Sequence, residues 1–347
     1  MGAGVAYFGS RIPRHVAADM QELAARGFTG VLHTFTENDL AYYRETVGQI
    51  VAASHDCGLE VQIAPWGVCQ MFGGEAESRF TSHHRDVGQV LDDGRRTPSG
   101  CPNDPRVRAF VHEWIDAAID TGADRIFCDE PHWVHPEHFG ISTERWGCRC
   151  EHCAERFGSQ LPDTLTPEVL AFRERCLVDF VGDFVAHVAR QGAKPTVCLL
   201  PLTGGVHGIE DWSRVAALPG LHTFGTDPYW KAFGEGAEAM VGEYARRVVG
   251  LAGEHDVRPQ LWIQGFRLEP EDADDIRTAV RAARDAGIED LWTWGFEACG
   301  HMSALGGSDP AAVWDVLCDA LLALERPDAD LLSQTPTHPP GPDAPRR

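Results

Sequence analysis

The sequence predicts a single-domain (β/α)₈ barrel, and three observations carry that prediction. Short apolar segments alternate with amphipathic helical segments along the 347 residues. The apolar segments are continuous rather than alternating, as expected of parallel strands covered on both faces. Gly27, Gly58, Gly122, Gly192 and Gly287 each fall at the end of a helical segment, one to three residues before the next strand, where glycine supplies a left-handed stop. Eight strand–helix units close a barrel, and roughly 250 residues or more suffice for one. An open doubly wound sheet would want a glycine-rich loop after the first strand. The only candidate, Gly2-Ala3-Gly4, precedes the expected strand.

The first strand is expected at Val5–Gly9. A helix follows over His15–Arg26, with Val16, Met20, Leu23 and Ala24 on one face. Gly30–Phe35 and Leu40–Cys57 form the second pair, and Glu60–Val68 is the third strand. A long loop runs from Cys69 to about Asp104, where Pro105 opens a helix over Arg106–Thr121. Arg125–Glu130 is the fourth strand, followed by a second long, cysteine-bearing loop and a helix over Pro167–Gln191. Pro195–Leu202 and Ile209–Leu218, then Leu221–Asp227 and Ala237–Leu251, are the fifth and sixth pairs. Gln260–Phe266 with Ala273–Ala286, and Asp290–Phe296 with Pro310–Leu324, complete the barrel domain, residues 1–326. Residues 327–347 are Pro-rich without apolar period and are expected to be a disordered tail.

Composition is ordinary for a globular protein, 43% hydrophobic and 24% charged, and the formal net charge is −22. Such charge argues against a nucleic-acid partner. No apolar run approaches the roughly 20 residues of a membrane span. The start has no basic region followed by a long apolar core. Eleven scattered cysteines suggest a reducing cytoplasm rather than a disulfide framework. Homo-oligomer formation is left open.

In such a barrel, chemistry sits at the C-terminal ends of the strands. That rule selects His33, Thr34, Trp66, Asp129, Glu130, Pro201, Asp227, Tyr229, Trp230, Gln264, Trp294 and Glu297, with His132 just beyond. Two adjacent acids directly after a buried strand are costly unless solvated, paired or used. Pro131 is expected to force Glu130 extended. Glu130 is the expected general acid or acid/base, Asp129 and Asp227 its carboxylate partners. The aromatic residues would stack on a sugar, and His33, His132, Gln264 and Glu297 would bind substrate. Cleaving a glycosidic bond needs two carboxyl groups flanking it. The blander alternative makes Asp227 a turn cap, and Trp262 and Trp292 lids on the barrel core.

Cys148-Arg149-Cys150-Glu151-His152-Cys153 puts three thiols on a tight turn. Cys101 is the natural fourth ligand of a closed tetrahedral zinc site, with His152 the alternative. One distant cysteine plus this motif, flanking a strand-four glutamate, resembles the zinc-bearing barrel of the family 42 glycoside hydrolases, the β-galactosidase group. The resemblance covers Cys101 to Phe157 by motif. It implies Glu130 as acid/base, Asp129 in place of the usual asparagine, and Cys101, Cys148, Cys150 and Cys153 around structural zinc, with no organic cofactor. The family's strand-seven nucleophile is a glutamate, whereas Gln264 stands here. The second carboxylate must then be Asp227 or Glu297. A further glycosidase clan, acting on α-glycosides, would instead make Asp129 the nucleophile and Asp227 the acid/base. The expected function is therefore a glycoside hydrolase-like enzyme acting on a small carbohydrate or glycoside. The alternatives are a metal-dependent sugar isomerase or lyase, using His33, Glu130, Asp227 and Glu297, and a non-catalytic carbohydrate-binding barrel.

Overall fold

Every expected strand forms, because each apolar run is buried on both of its faces. The computed structural model describes residues 2–74, 76–201 and 207–323. The strands are β1 (Gly2–Tyr7), β2 (Gly30–Thr34), β3 (Glu60–Ala64), β4 (Arg125–Asp129), β5 (Lys194–Leu199), β6 (Thr223–Thr226), β7 (Arg258–Gln264) and β8 (Asp290–Trp294). They pair in parallel in chain order, and β8 returns to β1 with Gly2 beside Asp290, closing the barrel. Ala6, Leu32, Ala64, Phe127, Cys198, Trp262 and Trp292 fill the interior. Their strand neighbours, such as Val5, Val31, Ile63, Ile126, Val197 and Leu291, join the core shared with the helices.

The principal outer helices are α1 (Pro13–Arg26), α2 (Arg44–Asp56), α3 (Pro105–Asp120), α4 (Pro167–Arg190), α5 (Ser213–Ala216), α6 (Ala237–His255), α7 (Ala273–Asp285) and α8 (Pro310–Leu322). Proline opens α1, α3, α4 and α8, at a position whose N–H has no helical partner anyway. The five joint glycines all take positive φ. No described helix is long and apolar enough to cross a membrane.

Four expectations are corrected. The first strand spans Gly2–Tyr7, so Gly2-Ala3-Gly4 is strand rather than loop. A Cβ on Gly4 would lie 2.2 Å from the Trp292 ring, so this glycine admits the indole that plugs the barrel. The second helical segment breaks at Tyr43 into Glu37–Tyr42, with a Thr36–Asp39 capping box, and α2. The loop after β3 carries a short helix, Arg79–His83, and an antiparallel hairpin of Gly88–Val90 with Arg96–Gly100. The helix expected at Ile209–Leu218 shortens to α5. The expected end of the fifth strand at Leu202, the last helix's Leu324 and the tail 327–347 lie outside the described residues.

At the N-terminal end of the barrel, fully buried Arg125 pairs with Glu60 at 2.6 Å and Asp290 at 2.9 Å. Asp290 also accepts from Gln260 Nε2 (3.0 Å) and Trp292 Nε1 (2.9 Å). Removing one partner of a buried pair strands the other charge. Arg125→Met should therefore cost on the order of 3–5 kcal/mol, read as a lowered midpoint in urea unfolding. A midpoint equal to wild type would mean that the pair contributes nothing.

Candidate active site

The opposite end of the barrel gathers the acids. Asp129 is the last residue of β4 and Glu130 follows it. Glu130 has φ +42°, the left-handed region and not the extended conformation expected from Pro131. Local hydrogen bonds account for this: its N–H donates to the Cys198 carbonyl (3.0 Å), and its carbonyl lies 2.6 Å from His132 Nδ1. In an extended strand, adjacent side chains point to opposite faces. The left-handed turn lets both acids reach one pocket. A Cβ on Gly73 would lie 2.6 Å from Glu130 Oε2 and 2.9 Å from Asp129 Oδ2, so the carboxylates converge on a spot where only glycine fits.

Asp227 follows β6 and is buried. Burial first, then the Glu130 charge and a side-chain hydrogen bond to Glu130, push its carboxyl well above the ordinary range. The protonated form of Asp227 is thereby favoured, and in that form it can donate to Glu130. Its Oδ1 has no hydrogen-bond partner among the described residues. Burial and the neighbouring acids likewise raise the Tyr229 phenol.

These groups line a cavity of about 170 Å³ together with Trp66, Trp262, Phe266, Arg267 and Trp294. One water needs only roughly 10–15 Å³, so this is a ligand-sized space. Phe8 lies 4.8 Å from Trp66 and 4.7 Å from Trp294 between ring centres, forming an aromatic cluster from the β1, β3 and β8 ends. The acids come from the β4 and β6 ends. Eight of the nine described non-glycine residues with positive φ (all but Asp256) lie in the loops after β3, β4, β7 and β8. Such conformations cost on the order of 1–3 kcal/mol each and gather where a site over-determines them.

Several expected site residues lie elsewhere. His33 turns out of the barrel, its Nε2 2.9 Å from Ser54 Oγ on α2, because the neighbouring Leu32 takes the inward position. Burial pushes its imidazole down to about 3. Trp230 packs in the hydrophobic core. Gln264 is buried, with its amide engaged: Oε1 accepts from the Lys231 and Ala232 N–H groups (3.1 and 3.3 Å), and Nε2 donates to the Phe266 carbonyl (3.0 Å). It caps the short helix Trp230–Phe233. Glu297 is exposed and off the cavity wall. His132 lines an adjoining groove. Trp262 is both core filler and cavity wall. Phe266, Arg267 and Leu305 were missed at the sequence level. The only signal was an arginine three residues past the seventh strand, and nothing marked Leu305 in its loop.

The ligand atoms of Cys101, Cys148, Cys150 and Cys153 lie within 4.8 Å of one another, and all four residues are buried. Cys101 Sγ is 3.5 Å from both Cys150 Sγ and Cys153 Sγ. A tetrahedron with metal–sulfur bonds of about 2.3 Å has edges of about 3.8 Å, so the thiols fit such an ion. The Val90 N–H and Asn103 Nδ2 each donate to a cluster sulfur at 3.3 Å. Buried Arg173, whose guanidinium lies 4.8 Å from the Trp133 ring centre, is pulled down to about 10 by burial and held up by Cys153 and Cys148. A nearby cation of this kind offsets thiolate charge. His152 turns instead to Asp104, at 3.4 Å. The cluster could thus bind a metal ion.

No protein-family model and no curated protein matches the chain. Solved structures do match in fold. The endo-1,4-β-mannanase of Rhizomucor miehei is 9% identical with a TM-score of 0.59, covering 93% of this chain and 95% of that one. A GH5_18 protein from Streptomyces cattleya, solved with GlcNAc, is 15% identical with a TM-score of 0.58, covering 98% and 82%. A D-allulose 3-epimerase from Methylomonas sp. is 10% identical with a TM-score of 0.50, covering 94% and 97%. These likenesses establish the barrel, a fold on which glycoside hydrolases and epimerases both occur.

The raised Asp227 carboxyl has a stability consequence. The folded state keeps a proton that the unfolded state releases near its ordinary value. Stability should therefore fall as pH rises from about 3.9 toward the raised folded value, by up to about 1.4 kcal/mol per pH unit. Asp227→Asn removes that loss. Its melting temperature should exceed wild type at neutral pH and change less from pH 4 to pH 7. Parallel pH profiles would contradict a raised Asp227.

Proposed function

We propose that the barrel is a glycoside hydrolase-like enzyme that cleaves a small carbohydrate or glycoside by carboxylate acid–base catalysis. The observation that carries this reading is the convergence of Asp129, Glu130 and Asp227 in one cavity walled by Trp66, Tyr229 and Trp294. Glycoside hydrolysis asks for one protonated and one ionised carboxyl group. Asp227 is the resting proton carrier, by its burial and by the charge of Glu130. Glu130 and Asp129 are its partner carboxyl groups. Sequence reasoning put the proton on Glu130; the electrostatics favour Asp227, as in the reading with a strand-six acid. In the reaction Asp227 gives its proton to the leaving glycosidic oxygen, and Glu130 or Asp129 acts as nucleophile or as the base that activates water. Flat indoles offer apolar faces to a pyranose, and Arg267 at the rim offers donors to its hydroxyls. The family 42 resemblance supports the same reaction class, with the strand-six carboxylate in place of the strand-seven glutamate.

The metal-dependent isomerase alternative loses two of its four ligands, since His33 faces Ser54 and Glu297 lies off the cavity wall. The cysteine cluster supports a closed structural zinc site, with Cys101, Cys148, Cys150 and Cys153 as its complete ligand set. Zinc there would pin the loop after β3, through Cys101, to the loop after β4. No step of the reaction passes through it.

Paired α- and β-nitrophenyl glycosides should show turnover of one anomer. Glu130→Gln and Asp227→Asn should each lower it by about 10²–10⁴. A loss below tenfold in both would sink the assignment. Metal analysis should find zinc in the purified protein, with one zinc per chain fewer in Cys150→Ser together with a lower melting temperature. Full zinc content in Cys150→Ser would refute the cluster as the site.

A further inference from the structure

Beside the catalytic cavity, and continuous with it at Gly74 and Glu130, runs a groove of about 830 Å³. One stretch of its wall is made of histidines. His132, His135 and His138 come from the loop after β4, and His207 from the loop after β5. The His135 and His207 rings stack with centres 4.1 Å apart, His138 stacks on His135 at 5.2 Å, and His132 meets it edge-on at 4.9 Å. Neither the proposed hydrolysis nor the cysteine cluster uses these groups.

We propose that His135, His207 and Glu137 bind a divalent first-row transition metal on this wall. Their ligand atoms lie within 4.8 Å of one another, with His135 Nδ1 3.4 Å from Glu137 Oε1. His207 Nδ1 lies 3.1 Å from the Val134 carbonyl. A proton on Nδ1 is then donated to that oxygen, leaving the Nε2 lone pair for a ligand. Histidine ligands are commonly oriented by such a bond. The His207 carbonyl in turn accepts from the Trp133 N–H at 2.7 Å, so the two loops that supply the ligands are tied together by their backbones.

Neutral rings carry lone pairs, and one carboxylate among them supplies charge. Two imidazoles and a carboxylate suit zinc, nickel or iron-type ions, whereas magnesium and calcium prefer all-oxygen sites. Bonds of about 2.1 Å set ligand atoms about 3.4 Å apart in a tetrahedron, so binding would draw the three side chains inward by about an ångström. Glu137 is exposed and free to make that movement. The inference does not depend on the hydrolase reading.

Equilibrium dialysis of full-length protein against Ni²⁺ tests it. The double variant His135→Ala/His207→Ala should bind one Ni²⁺ fewer per chain than wild type, and Cys150→Ser should retain that ion. Glu137→Gln, at an exposed position, should weaken the same binding by about tenfold or more while keeping the wild-type circular dichroism. Excess Mg²⁺ should not compete. Wild-type Ni²⁺ binding in Glu137→Gln and in the double variant would overturn the site, as would equal competition by Mg²⁺. If the double variant fails to fold, Glu137→Gln decides alone.

Discussion

The ion pair of Arg125 with Asp290 is the constraint on which the barrel depends. Arg125 begins β4 and Asp290 begins β8, on opposite arcs of the ring. A guanidinium with no exposed surface reaches across the barrel floor and meets Asp290 at 2.9 Å and Glu60 of β3 at 2.6 Å. Gln260 of β7 and the indole of Trp292 complete the hydrogen bonding. A charge this deeply buried tolerates little displacement, because each lost hydrogen bond exposes its desolvation cost. The floor thereby sets the register of β3, β4, β7 and β8 relative to one another. Trp292 then fills the space above, against Gly4 and Gly30.

That floor decides what the other end presents. With the strands in register, the ends of β4 and β6 flank β5, and their carboxyl groups meet over Cys198. Asp129, Glu130 and Asp227 repel one another there, and the protonation of Asp227 relieves the repulsion. The loops at this end, after β3, β4, β7 and β8, carry the left-handed residues Trp66, Glu130, Arg267 and Glu297. The helix layers and the floor thus hold a rim of unfavourable backbone and crowded charge. Such a division, stability below and strain above, is what a barrel enzyme needs, since the lower face carries no chemistry.

The two long loops divide the remaining work. The loop after β3 builds a hairpin, and its second strand delivers Cys101 to the thiols of the loop after β4. The loop after β4 also bears His132, His135 and His138 on the groove wall. Gly73, in the loop after β3, donates its N–H to the Asp129 carbonyl at 3.0 Å and so ties that loop to the end of β4.

The sequence by itself determined the strand and helix order, the helix-stopping glycines, the acids at the end of β4 and the three-thiol turn of Cys148, Cys150 and Cys153; that Cys101 rather than His152 completes the group was decided by folding. Each of these is written in local pattern: apolar runs, a residue that permits positive φ, and spacing within a loop. Only the tertiary structure decided which strand-end residues face the cavity. His33 and Leu32 are adjacent, and a single step along a strand exchanges inside for outside. Gln264 resembles a sugar ligand in sequence, yet the short helix Trp230–Phe233, brought close by folding, takes its amide oxygen, and the Phe266 carbonyl takes its amide nitrogen. The proton on Asp227 belongs to the same class, because it arises from burial and from a carboxylate 97 positions earlier in the chain. So does the meeting of His207 with His135, since contacts between distant loops follow from the closed sheet and leave no local pattern in the chain.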